Sequence, residues 1–177
     1  MTRLLPFAQR LRRSEDGSST IEFMVVLPVL LSFFFSTFEL GMMLTRQVML
    51  DRALDLTVRQ VRIGAVEEVT HDNLKAMICS AGAMIPDCEA AIKLEMRPVD
   101  PRAWSQLPEE ADCVDREDPA IPAREFTPGV SNELMVLRAC AVLEPYFPGS
   151  GLGFALVGED GGAFGLLSTS AFVIEPG

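Results

Sequence analysis

Over residues 23–44 the chain reads FMVVLPVLLSFFFSTFELGMML, apolar on every side of a helix and broken by one charge, Glu39. At ~1.5 Å per residue these 22 residues cover about 33 Å, enough to cross the ~30 Å hydrocarbon core of a bilayer. The pattern then narrows. Residues 45–64 (TRQVMLDRALDLTVRQVRIG) contain no proline and set Leu50, Leu54, Val58 and Val61 three and four apart, the period of a helix with one apolar face. One continuous helix over 21–64, about 66 Å long at that rise, is expected. Gly64 is its stop, and Pro28 kinks it at a depth where a membrane helix tolerates proline.

Beyond it, Thr70 caps a short helix starting near His71, whose apolar face is Leu74, Met77, Ile78 and Ala81 and whose end is set by Pro86. Residues 91–99 alternate Ile92, Leu94 and Met96 with Lys93, Glu95 and Arg97, which predicts a strand with one wet face. Residues 134–143 (LMVLRACAVL) are apolar on both faces, as a central strand requires, and 166–174 (LLSTSAFVI) suit a further strand. The class is α+β, a small antiparallel sheet packed on helices. Residues 149–165, rich in glycine but with neither lysine nor P-loop spacing, read as a mobile hairpin or linker. Residues 109–118 hold six acids in ten, bounded by Pro108 and Pro119. They read as a solvated charged loop; calcium is the rival, without an EF-hand pattern to support it.

Charge orients the chain. The first 17 residues carry +2 and the remaining 160 carry −12. Basic residues before the span place its start in the cytoplasm and the acidic body outside, and a body so acidic excludes nucleic acid as a partner. No small-residue cleavage site follows the apolar run, as a secretory signal would require. Cys79, Cys88, Cys113 and Cys140 all lie downstream of the span and lack the close pairs of a zinc site, so two disulfides in an oxidising compartment are expected, with free thiols as the alternative. Four cysteines allow three pairings, and their order does not choose. Cys79 with Cys88 would tie the short helix to the strand after it, and Cys113 with Cys140 would pin the acidic loop to the central strand; this pair of bridges is the expectation.

Immediately before the apolar run, behind a basic leader, stands Gly17-Ser18-Ser19-Thr20-Ile21-Glu22-Phe23. This segment resembles a prepilin. The resemblance implies a peptidase on the cytoplasmic face that cuts between Gly17 and Ser18, leaving Ser18 first and Glu22 fifth in the mature chain. A carboxylate at the hydrocarbon edge costs on the order of 2–3 kcal/mol and is usually kept for a partner. Cleavage creates one: the Ser18 α-amine, mostly cationic at neutral pH with a reference pKa of about 7.7–8.0. The resemblance implies that Glu22 pairs with this amine on a neighbouring subunit. The competing reading is an ordinary signal anchor with a chance glycine before a glutamate.

More finely, Asp16-Gly17, Glu22-Phe23, Pro28 and Glu39-Leu40-Gly41 resemble the TadE-like family of tight-adherence pilus pseudopilins, as do RQVRIG at 59–64 and FVIEP at 172–176. The long acidic stretch departs from it. The resemblance implies a leader over 1–17, a hydrophobic segment over 18–44 and a type IV pilin-like head outside the cytoplasm over 45–177. It also implies a single-pass inner-membrane protein and, since the fibre subunit of such systems is a very short peptide, a minor pilin or assembly factor. Its partners would be the prepilin peptidase, pilus subunits, other pseudopilins and the assembly platform. Glu22, Phe23, Pro28 and Glu39 are the candidate assembly and processing residues. Glu39 either reaches the outer interface or meets an arginine or amine of another subunit.

No cofactor or metal is implied. The single histidine, His71, sits at a helix start where capping is the default, and no G-x-S-x-G or metal-ligand constellation occurs, so a non-enzyme is expected. A signal-anchored periplasmic enzyme or binding domain is the alternative.

Overall fold

A computed structural model describes residues 18–81, 84–100, 102, 108, 110–115, 122–157 and 162–176. The leader and part of the acidic stretch, including Gly17 and Glu109, lie outside the described residues. The first element is a single helix, α1, Ser18–Arg62, which runs through Pro28 without a break. It stops as the sequence requires: Gly64 takes a φ of 68°, the Ala65 N–H reaches back to the Gln60 carbonyl and the Gly64 N–H to that of Val61. These two bonds form the glycine-terminated turn that satisfies the last carbonyls of a helix.

Helix α2, His71–Ser80, begins on Thr70, whose hydroxyl accepts from the Asn73 N–H at 3.3 Å. A one-turn helix, α3, Cys88–Ala91, leads into β1, Ile92–Pro98. β2, Leu134–Leu143, helix α4, Gly151–Leu156, and β3, Phe164–Val173, complete the chain. The strands form an antiparallel sheet in the order β1-β2-β3. The α+β arrangement expected from the periodicities is the one observed, with 134–143 at the centre of the sheet.

Register puts one set of side chains on the helix-facing side: Ile92, Leu94 and Met96 lie opposite Ala141, Ala139 and Leu137, and Leu166 and Phe172 opposite Ala141 and Met135. With Leu50, Ala53, Leu54, Val58 and Val61 of α1 and Leu74 and Ile78 of α2 they form one core. β3 lies along α1. Gln47 donates to the Leu167 carbonyl at one end, and at the other Arg62 pairs with Glu175 at 2.7 Å while its carbonyl accepts from the Glu175 N–H. Fifteen residues of helix cover about 22 Å and eight of strand about 26 Å, so the two elements run side by side.

The face of β1 expected to be wet is covered. Lys93, Glu95 and Arg138 are nearly inaccessible, and so is Asp112 of the acidic stretch, at 5% exposure. Lys93 meets Asp112 at 3.1 Å, Arg138 meets Glu95 at 3.6 Å, and the Asp112 N–H donates to Glu95. Asp112 also accepts from the Arg124 N–H. Alternation along β1 reports only which residues point away from α1; here the segment around Asp112 lies over them. That segment is therefore not wholly solvated, since Asp112 is its inward anchor.

The four cysteines form Cys79–Cys88, from α2 to the start of α3, and Cys113–Cys140, from this covering segment to β2. Residues 149–165 also differ from expectation, for they contain α4 and the first two residues of β3 rather than a linker.

Non-reducing peptide mapping of protein taken from an oxidising compartment is expected to recover these two bridges and no other pair. Asp112→Ala leaves Lys93 buried without its carboxylate, a change that typically costs about 3–5 kcal/mol. Denaturant unfolding in detergent measures it, and a loss no greater than that of an exposed-site control such as Glu67→Ala would show that the pair contributes little.

Candidate functional site: the apolar helix and the loop clamped to it

From Ile21 to Phe34 the side chains of α1 point outward on every side, with Phe23, Val25, Leu30 and Phe33 all more than half exposed. A helix apolar all round needs a non-aqueous environment. α1 is long and apolar enough to cross a membrane, and none of its most apolar stretch is buried within the fold. Ser18 opens the helix, with Glu22 and Phe23 in its second turn on the surface.

Burial begins at Glu39, which is 1% exposed although it sits in an apolar helix. From there the buried stripe continues through Arg46, Leu50, Ala53 and Leu54, Thr57 and Val58, to Val61. Both carboxylate oxygens of Glu39 accept backbone N–H bonds from the loop after β2: Oε1 from Tyr146 at 3.0 Å and Oε2 from Phe147 at 2.9 Å. Hydrogen bonds to an ionised acceptor are the strong ones, and two converging donors fix the loop's direction as well as its place. The partner of Glu39 is thus its own chain's backbone, which neither sequence reading named.

The clamp has further parts. Phe147 packs on Phe35 and Phe38, with ring centroids 4.7 and 5.8 Å apart. Arg46 donates through Nη1 to the Glu144 carbonyl at 3.5 Å and lies 4.4 Å from the centre of the Tyr146 ring, so a carbonyl and an aromatic face both meet its charge, while its buried Nε has no hydrogen-bond partner. Ser36 Oγ accepts from the Leu152 N–H. Ser150 caps α4 by accepting from the Gly153 N–H at 3.1 Å, and a Cβ at 153 would collide with the Phe147 carbonyl, so only glycine closes this turn. Sequence reasoning missed Ser36, Arg46, Tyr146 and Phe147. The available signal was a charge-free aromatic run, PYFPGSG, placed to meet the one acid of the span.

His71 is engaged at both ring nitrogens. Its Nε2 accepts from the Leu94 N–H at 3.3 Å, which leaves Nδ1 to donate to Asp72 at 3.0 Å. That hydrogen bond holds the Asp72 carboxyl below its ordinary range. The ring thereby ties α2 to β1, a structural task. Among the described residues no group of His, Cys, Asp or Glu is arranged to hold a metal ion. The sequence motifs at 59–64 and 172–176, far apart in the chain, meet through Arg62 and Glu175.

Glu39→Ala removes both acceptors from Tyr146 and Phe147. Bonds to a charged group contribute about 1.5–3 kcal/mol, so amide hydrogen exchange at these two positions is expected to accelerate by roughly tenfold or more. Unchanged exchange there would show that the carboxylate does not hold the loop.

A family model described as TadE-like protein matches residues 17–59, which take in the Gly17-Ser18 step, Glu22, Pro28, Glu39 and most of the buried stripe. No curated protein and no solved structure matches the chain. The family associates the chain with Tad pilus systems, and the long apolar helix fits a single-pass membrane anchor. Over residues 17–59, then, the chain is similar to the TadE-like family.

Proposed function

We propose that the protein is a pseudopilin or minor pilin that acts, without catalysing a reaction, in assembly of a tight-adherence pilus. The observation that carries this reading is the Gly17-Ser18…Glu22-Phe23 motif at the entry to an outward-facing apolar helix, inside the TadE-like match. In this reading a prepilin peptidase removes the basic leader and Ser18 becomes the amino terminus. The new amine and Glu22 lie within one turn of each other along the chain. In this reading Glu22 pairs with the amine of an adjacent subunit, a cation of the kind that a carboxylate at the hydrocarbon edge is usually kept for. The basic leader sets the amino terminus in the cytoplasm and the disulfide-bonded head outside. Size supports a minor or assembly role rather than a fibre repeat, since the head is several times longer than the span. The pilus subunits, other pseudopilins and the assembly platform are its partners.

Amino-terminal sequencing of the protein from cells is expected to begin at Ser18; an intact Met1 would point to a plain signal anchor instead. Gly17→Trp is expected to abolish cleavage, whereas Glu22→Ala leaves cleavage largely intact and reduces pilus yield. Wild-type pilus production by both variants would defeat the reading.

A further inference from the structure

We propose that residues 145–157 form a second membrane-inserted element, a short hairpin and helix that enter the outer leaflet beside the span. The inference rests on the reading of α1 as the span. With Glu22 at one edge, a hydrocarbon layer of ~30 Å ends about 20 residues later at ~1.5 Å per residue, near Met42. The loop attaches below that level. Gly151 lies against Ser32 and Ser36, Phe147 against Phe35, and Tyr146 and Phe147 donate to Glu39. Those helix positions stand about 15–26 Å from Glu22, inside the layer rather than above it.

The chemistry of the segment agrees with that depth. From Pro145 to Gly158 there is no charged residue, and Glu144 and Glu159 flank the run. Phe154 is 78% exposed on α4, an unusual placement for a phenylalanine facing water. Backbone polar groups at membrane depth must be satisfied within the protein. Here six of the eight N–H groups from Tyr146 to Phe154 are, those of Gly149 and Gly151 being the exceptions. Tyr146 and Phe147 donate to Glu39, Pro148 has no N–H, and Ser150 donates to the Phe147 carbonyl. Leu152 donates to Ser36, Gly153 to the Ser150 hydroxyl, and Phe154 to the Ser150 carbonyl. Both oxygens of Glu39, the one acid of the apolar run, accept from the same loop, which lowers the cost of burying either. The occupant of the surface around Phe154 is lipid.

The test uses the full chain in nanodiscs holding one copy each, with the single tryptophan replaced (Trp104→Phe) and a reporter introduced by Phe154→Trp or, in the span, by Phe33→Trp. Phosphatidylcholine brominated midway along its acyl chains is compared with the unbrominated lipid. Both reporters are expected to be blue-shifted and strongly quenched by the bromines. Quenching at position 33 without quenching at 154 would overturn the inference and leave the span standing, and would leave the Phe154 surface to water or to another protein. Absence of quenching at both would overturn the span reading as well.

Discussion

Glu39 accepts its two backbone N–H bonds at the level where α1 changes from apolar on every side to apolar along one stripe. Below it the helix touches its own chain only along the side that meets the loop; from Arg46 onward every third or fourth residue is buried. A carboxylate at this junction would be costly in either environment without partners, and the loop after β2 would leave two donors unmet. Bringing them together removes both penalties. It also fixes where the sheet can sit, because the loop is the continuation of the central strand, and β3 returns from it along the same face of α1.

The far side of the sheet solves a similar problem with other means. Lys93, Glu95, Arg138 and Asp112 are removed from water together, and such a cluster contributes specificity more readily than stability, since each charge demands one particular neighbour. The bridge from Cys113 to Cys140 holds the covering segment in the register that the charges need.

Much of this was legible in the chain. The length of α1, its Gly64 stop, the Thr70 cap and the three strands follow from periodicity and from residues whose local chemistry is decisive. What could not be read were the contacts that convert a polar pattern into a buried one. Lys93 and Glu95 alternate like solvent-facing residues because alternation records direction, not what lies over a face. The run 149–165 looked like a linker because glycine is favoured equally by flexible chain and by tight approach, and at Gly153 it is the approach to the Phe147 carbonyl that requires it. Glu39 was visible as an anomaly, but its partners lie more than a hundred residues away and present backbone, which carries no side-chain signature.

The side-by-side run of β3 and α1 has a mechanical meaning. In the proposed assembly role, a subunit drawn out of a bilayer is pulled along its helix axis. Because β3 is aligned with that axis, from Gln47 and Leu167 to Arg62 and Glu175, such a pull loads their contacts in shear, all at once, rather than peeling them one by one. The head can therefore be hauled by its helix as a rigid body, with force shared along the whole seam.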